Sequence, residues 1–364
     1  MQVALTSRSC YKHSPSTKTG EIMTEVKDLA CSFDSLYRAM KVCRKDVGWK
    51  DSVTRFTNDG LRSVYRLKSS LLDGSYKIDS YYIFNICEPK LRKIIATKLK
   101  DRVFQRSLCD NYLTEALTKG FIYDNFACIE GKGPDLARER LECHLQRYYR
   151  KYGAEGYVLT CDIKDYFGST PHSTAKSAVK ERVDNEWVYE HVCRIIDSFG
   201  TKENPDTGMG LGSQVTQLIQ LAILDDLDHY IKEQLRIKYY LRYMDDFPLI
   251  HRSKEYLRYC LEMIKRKLKK LGLTLNEKKT QILKLSQGIR FLGFKFVLTD
   301  TGKVVKTLLK SNTKRRKRKI KKYKILYDKG LMTKEKVDMT DVGWEAHAEK
   351  GDTAQVRRGM RIYK

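Results

Sequence analysis

Two adjacent carboxylates, Asp245 and Asp246, interrupt an otherwise apolar stretch that runs from Lys238 to Ile250. Tyr239, Tyr240 and Leu241 on one side and Phe247, Leu249 and Ile250 on the other read as two short strands, which puts both acids at a hairpin turn. A regular strand sends neighbouring side chains to opposite faces, whereas a tight turn can aim a carboxylate off the sheet edge. Alone, an Asp-Asp pair is commonly a solvated turn. A second acidic element shifts the balance. Tyr157-Val158-Leu159-Thr160-Cys161-Asp162-Ile163 is an apolar run that delivers a carboxylate near its end and leads into Lys164-Asp165-Tyr166-Phe167. Strand-borne carboxylates in apolar frames are the donors that hard magnesium ions require. A pair of such ions roughly 3.5–4 Å apart serves both the attacking and leaving oxygens of a phosphoryl transfer.

The charge balance points to the same kind of partner. Against 45 Asp and Glu stand 71 Lys and Arg, a formal charge of +26. Such a surplus attracts nucleic acid through its phosphates without reading sequence. The 364 residues allow a large core and two or three subdomains. The ten cysteines form no CxxC pair and no zinc-like spacing with histidine, so they are expected as reduced, mostly packed thiols of a cytoplasmic protein. Cys161 reads as strand packing. No apolar run is long enough for a bilayer, and the Ser-rich start lacks the apolar region of a signal peptide, so no membrane partner is expected.

Along the chain, residues 1–24 are polar and aperiodic and read as a flexible tail, with Met23 as an alternative start. Leu29, Phe33, Leu36 and Met40 fall at helical spacing and predict helices between 26 and 72. A strand is expected over Tyr81 to Cys87 and a helix around Ala137 to Tyr149. Leu218, Leu221, Leu224, Leu227, Ile231 and Leu235 predict an amphipathic helix beneath the sheet. Asp225, Asp226 and Asp228 are assigned to its solvated face or to helix-end contacts, and His229 to a structural role. From Lys303 the composition turns basic: nine of the fourteen residues in Ser311 to Lys324 are Lys or Arg.

Taken in order, these motifs resemble those of reverse transcriptases, most closely bacterial ones. Tyr243-Met244-Asp245-Asp246 matches the family signature, and Asp162 with Ile163, Tyr166 and Phe167 matches its first palm motif. Gly208-Met209-Gly210-Leu211-Gly212 with Thr216-Gln217 sits where the template-gripping loop is expected. Leu275-Asn276-Glu277-Lys278-Lys279-Thr280 resembles the later lysine motif, and Phe291-Leu292-Gly293-Phe294 the hydrophobic grip before the thumb. Upstream, Glu88-Pro89-Lys90-Leu91-Arg92-Lys93-Ile94 and Asp101-Arg102-Val103 resemble fingers motifs. The resemblance implies an α+β right-hand polymerase with fingers, a palm of antiparallel sheet backed by helices, and a short helical thumb. Its segments would be a tail at 1–24, an N-terminal extension and fingers at 25–156, the palm at 157–297, and a basic thumb and C-terminal segment at 298–364.

The same resemblance implies RNA-directed DNA synthesis with two magnesium ions. The partners would be template RNA, a DNA or RNA primer and deoxynucleotides, with a noncoding RNA and an accessory protein also in view. Asp162 and Asp245 would be metal ligands, with Ile163 beside them and Asp246 as a third acid through a direct or indirect contact. Phe167 would place its ring beneath the sugar and exclude a 2′-hydroxyl. Lys90 and Arg92 would contact the triphosphate or template. Lys132 is a third candidate for that contact, although Glu130 departs from the family pattern. Leu211, Gly212 and Gln217 would line the nucleotide, and Lys279 would act near the leaving pyrophosphate. Lys314, Arg315, Arg316, Lys317, Arg318, Lys319, Lys321 and Lys322 would hold the duplex. The alternatives are a core aromatic at Phe167 and a solvated basic face in the thumb. Trp344 and His347 resemble a C-terminal segment of bacterial retroelement enzymes and are read as packing.

Most of the family carries Gln where Leu211 stands and Ser-Pro where Thr216-Gln217 stands. The pattern here resembles diversity-generating retroelement enzymes, which copy template adenines inaccurately, except that Thr216 replaces their Ser. Defence-associated reverse transcriptases, which copy a dedicated noncoding RNA, remain the alternative, and an RNA-binding scaffold on a polymerase fold is a further one. The Asn-Ala-x-x-His and Val-Thr-Gly motifs typical of retrons are absent from the sequence, and no maturase domain is expected after the thumb.

Overall fold

A computed structural model describes residues 25–87, 91–201 and 203–362. Lys90 and the stretch 1–24 therefore lie outside the described residues. The chain divides into two compact units that interleave in sequence. One takes the described residues up to Lys119 with Pro171–Ile219, the other Gly120–Thr170 with Gln220–Lys364.

The first unit is largely helical. Its Phe33–Arg44 helix starts at Ser32, whose side chain accepts from the Ser35 amide at 3.1 Å, and it buries Leu36, Ala39 and Met40. The Gly60–Leu72 helix buries Val64, Leu67 and Leu71 in turn. These positions recur every three or four residues, which is why the apolar pattern between 26 and 72 was readable as helix. Strands β1 (Tyr82–Ile86) and β2 (Arg92–Ala96) form an antiparallel hairpin with Tyr82 opposite Ala96. The strand expected at Tyr81 to Cys87 is present, and its residues stay exposed.

The second unit holds two sheets. The first contains β3 (Tyr157–Asp162), β4 (Tyr239–Tyr240), β5 (Asp246–His251) and β6 (Gln281–Lys284), antiparallel in the order β4-β5-β3-β6. The Lys254–Lys270 helix, capped by Ser253 at 3.0 Å from the Tyr256 amide, covers this sheet with Leu257, Cys260, Ile264 and Leu268. The second sheet runs β7 (Ile289–Phe291), β8 (Phe294–Leu298) and β9 (Val304–Leu308). Phe291, Phe294 and Phe296 join Leu141, Leu145 and Tyr148 of the Pro134–Tyr152 helix, together with Val158 and Ile250, in one core. Each fully buried ring contributes on the order of 1.5–3 kcal/mol.

The turn between β7 and β8 has Leu292 at φ +42° and Gly293 at φ +89°, the two positive angles that the tightest hairpin connection demands. Arg138 donates to the Leu292 carbonyl at 3.2 Å, and Asn312 to that of Gly293 at 3.0 Å. His347 lies against Phe294 with ring centroids 5.0 Å apart, so it and Trp344 act in packing, as expected.

The amphipathic helix predicted from Leu218 to Leu235 is broken. Gln214–Ile223 is followed by Asp225–His229 and then by a wider turn over Tyr230–Gln234, closed by the Leu235 amide on the Tyr230 carbonyl at 2.9 Å. Leu224, at φ −96° and ψ 3°, makes the break. A helix that stops there leaves its last carbonyls to be claimed by donors from elsewhere.

The basic run forms one helix, Lys310–Asp328. Lys314, Arg315, Lys317, Arg318, Lys321 and Lys322 are exposed and Lys319 is half-buried. Arg316 corrects the expectation of a nucleic-acid contact, because it is only 3% exposed. Its guanidinium donates to the Met360 carbonyl at 2.9 and 3.1 Å, pairs with Asp341 and lies 4.9 Å from the Trp344 ring centroid. A helix that is basic all round must still turn one residue to its neighbours, and arginine has enough donors to be satisfied there.

Candidate active site

Asp162, at the end of β3, and Asp246, at the start of β5, are direct cross-strand partners. Such partners share a face of the sheet with Cβ atoms about 4.5–5.5 Å apart. The Tyr243 amide donates to the Asp246 carbonyl at 2.9 Å and the Asp246 amide to that of Tyr243 at 3.1 Å, leaving only Met244 and Asp245 at the tip. Both acids were expected at the turn; Asp245 is at its tip and Asp246 opens the strand. Met244 takes φ +58°, a left-handed conformation that costs a residue with a Cβ about 1–2 kcal/mol. The Ile163 amide donates to the Asp245 carbonyl at 3.3 Å, which ties the residue after Asp162 to the tip.

Electrostatics follow from this crowding. Desolvation first, then the negative charges of Asp245 and Asp162, push the Asp246 carboxyl up to about 8, while Lys279 pulls it the other way. Lys279 forms an ion pair with Asp162. It arrives there because its loop is pinned over the end of β3: the Asn276 amide donates to the Asp162 carbonyl at 2.7 Å, and the Lys164 amide to that of Thr274 at 2.9 Å. Cys161 is buried beneath the acids, and burial pushes its thiol well above the usual range, consistent with packing rather than nucleophilic chemistry.

Among the described residues, no group of three or more His, Cys, Asp and Glu side chains is drawn together as a finished metal cage. The donor chemistry nevertheless fits a hard cation. Three acids offer only oxygen, burial and then the charge of the other two raise Asp246, and the Lys279 ammonium serves as a counter-charge. Ile163 is 1% exposed, so its contribution would be limited to the backbone carbonyl.

Phe167 is half-buried on the helical turn Tyr166–Ser169, its ring centroid 6.0 Å from that of Tyr166. The turn is anchored from below. The Tyr166 hydroxyl donates to the Gln220 carbonyl, the Thr170 hydroxyl to the Tyr166 carbonyl at 2.6 Å, and the Gln220 amide to the Thr170 hydroxyl at 2.9 Å. Arg92, Leu211, Gly212 and Gln217 belong to the first unit, whereas the carboxylates belong to the second. There, Arg92 opens β2 as an exposed residue and Leu211 is half-buried. A Cβ at Gly212, at φ +116°, would stand 3.7 Å from the Ile95 carbonyl of β2, so the glycine loop lies alongside that strand. The Thr216 hydroxyl secures the loop by donating to the Gly210 carbonyl at 2.8 Å. Lys132 differs from its expected role: its ammonium donates to the Tyr123 and Asn125 carbonyls at 2.7 and 3.0 Å and lies over the Tyr123 ring.

One pair was missed. Asp228 and Arg242 are both fully buried, the guanidinium reaching both carboxylate oxygens at 2.6–3.0 Å, and the Tyr240 hydroxyl donates to the same acid. Asp228 is therefore not on a solvated face. The signal was its place four residues after Leu224 and three before Ile231, on the apolar stripe itself. His229 is structural as expected, contacting the Gly120 carbonyl at 2.9 Å and Glu233 at 2.6 Å.

A strand pair that brings acids together at a hairpin, in a sheet backed by a helix, offers a cluster of oxygen donors suited to a hard cation. The chain belongs to the reverse transcriptase family: the model for reverse transcriptase (RNA-dependent DNA polymerase) matches residues 85–296. No curated protein matches in sequence. Among solved structures, the chain is similar to apo telomerase from Candida tropicalis, with 13% identity, 63% of this chain and 48% of that chain covered, and a TM-score of 0.48. Telomerase from Candida albicans with a TWJ fragment of telomeric RNA gives 13% identity, 65% and 46% coverage, and 0.46. The chain spans about half the length of these telomerases.

Proposed function

We propose that this chain copies RNA into DNA at Asp162, Asp245 and Asp246. The observation that carries the reading is the direct opposition of Asp162 and Asp246 beside a tip occupied by Asp245, which crowds negative charge at the end of an apolar sheet. Two divalent cations, for which magnesium is the natural choice, would be held by these acids and the Ile163 carbonyl and would supply charge neutralisation for phosphoryl transfer. The chain's own part is to position. Phe167 would sit under the sugar and reject a 2′-hydroxyl, Lys279 would exchange Asp162 for phosphate oxygens, and Arg92 and Gln217 would meet the nucleotide or template. The exposed lysines and arginines of Lys310–Asp328 would hold the duplex backbone. In this reading the chain is divided into fingers, palm and thumb at about 25–156, 157–297 and 298–364. Purified chain supplied with primed RNA, deoxynucleotides and magnesium should extend the primer; no extension on any primed RNA, with the native template and accessory proteins supplied, would contradict it.

Leu211 supports a finer reading, error-prone cDNA synthesis in a diversity-generating retroelement. A glutamine there can hydrogen-bond beside the nascent pair, whereas leucine offers only apolar contact and weakens the check on pair geometry. Accurate copying would favour the defence-associated alternative, with a dedicated noncoding RNA as template. Extension lost on removal of the acids would exclude a scaffold role.

A further inference from the structure

We propose that Arg242, held by Asp228, is a positioning residue that sets the acidic hairpin against the same helix end that carries the Asp162 side of the site; this rests on the polymerase reading above. Arg242 lies one residue before Tyr243-Met244-Asp245-Asp246 and is 0% exposed. Beyond its bonds to Asp228, its guanidinium donates to the Met244 carbonyl at 3.1 Å and to the Leu221 carbonyl at 3.1 Å. Met244 is the left-handed residue at the tip, so this bond holds the strained turn in place from inside.

Leu221 is one of the last four residues of the Gln214–Ile223 helix, the turn whose carbonyls are open to donors from outside because the helix breaks at Leu224. Its neighbour Gln220 is another, and that carbonyl accepts from the Tyr166 hydroxyl. Consecutive carbonyls of one helix end thus anchor both carboxylate carriers: the turn after Asp162 through Tyr166, and the Asp245 tip through Arg242. The main chain of Arg242 is fixed as well, its amide donating to the Asp124 carbonyl at 2.9 Å and its carbonyl accepting from the Phe126 amide at 3.1 Å. Only arginine offers donors in enough directions to serve a carboxylate and two separate carbonyls at once. Asp245 stands outside the strand ladder that registers Asp162 against Asp246, so the brace on Met244 acts with the Ile163 amide, which donates to the Asp245 carbonyl at 3.3 Å, to fix the tip.

The test separates positioning from packing by replacing the pair with apolar groups of similar volume. A buried ion pair so replaced commonly keeps its fold, whereas removal of one partner leaves an uncompensated charge. Full-length Arg242→Met/Asp228→Leu protein, made in a Tyr240→Phe background so that no hydroxyl is stranded, should melt below wild type by no more than the loss of two carbonyl hydrogen bonds allows, remain folded at the assay temperature and bind primed RNA equally well. Its affinity for Mn²⁺, read by electron paramagnetic resonance without substrate, and its kcat should each fall by about 10–100-fold, with KM for the deoxynucleotide little changed. Arg242→Lys keeps the charge but not the geometry and should show the same two losses, which covers the case of a misfolded double variant. Wild-type Mn²⁺ affinity in a folded variant would overturn the brace. A wild-type chain that extends no primer while the Mn²⁺ difference persists would overturn the polymerase reading and leave the brace standing.

Discussion

Lys279 pairs with Asp162 at the end of β3, and Asp162 in turn faces Asp246 across the sheet, so one ammonium offsets a cluster of acids. The balance is incomplete, because burial first, and then the neighbouring acids, still push the Asp246 carboxyl up to about 8. A carboxyl whose folded pKa lies above its unfolded value binds more protons in the native state. Its stability contribution is full below the unfolded pKa and is lost as pH rises towards about 8. Metal-free wild type should therefore lose more stability than Asp246→Asn between pH 4 and pH 8, and magnesium at pH 8 should restore part of the loss. Chemical denaturation at several pH values measures this; parallel pH profiles for the two proteins would refute the crowding.

Phe167 is expected to select the sugar. Phe167→Ala should narrow the ratio of kcat/KM for dCTP over CTP, by about tenfold or more if the ring supplies even about 1.4 kcal/mol of discrimination. Equal ratios would return the ring to a purely structural role beside Tyr166.

The Lys310–Asp328 helix should behave as two populations. Neutralising Lys314, Arg315, Lys317, Arg318 and Lys321 should lower the log-log salt slope of duplex binding by roughly 4, at about 0.9 per phosphate contact on B-form DNA. Arg316→Ala should leave the slope unchanged but destabilise the fold by about 1–3 kcal/mol, because the buried Met360 carbonyl loses its donor and the partly buried Asp341 its counter-charge. A lower slope in the Arg316 variant would place that residue on the duplex after all.

Leu211 should set fidelity. Sequencing of cDNA made on an RNA with all four template bases should show misincorporation concentrated opposite adenine and reduced by Leu211→Gln. Accurate copying of adenine with the native RNA and accessory protein present would rule out the diversification reading and leave polymerisation untouched.

Much of the candidate site's strand framework is legible in the sequence because the pattern that sets it is local. An apolar run ending at Asp162 and a pair of acids between two β-prone segments can be placed without tertiary information, and both strands formed where expected. The residues that sequence misplaced are those whose partner lies far along the chain. Asp228 looked solvated until Arg242 supplied its counter-charge, and Arg316 was indistinguishable within a basic run until Met360 and Asp341 claimed it. Lys132 turned inward to two carbonyls that no spacing rule identifies. The helix break at Leu224 was hidden because the apolar stripe continues across it. An arginine inside an apolar stretch and an aspartate on an apolar helix stripe are each costly to bury alone, so their joint occurrence is the signal to seek a pair.

The central claim is that the acids of β3 and the following hairpin carry out RNA-directed DNA synthesis. Its most direct test compares wild type, Asp162→Asn and Asp245→Asn for primer extension on RNA with magnesium and deoxynucleotides, alongside the affinity of each for the primed RNA. Each substitution replaces one carboxylate oxygen by an amide nitrogen and removes no basic surface, so both variants should bind the RNA as wild type does and make no DNA. Undiminished synthesis by Asp245→Asn would contradict the account.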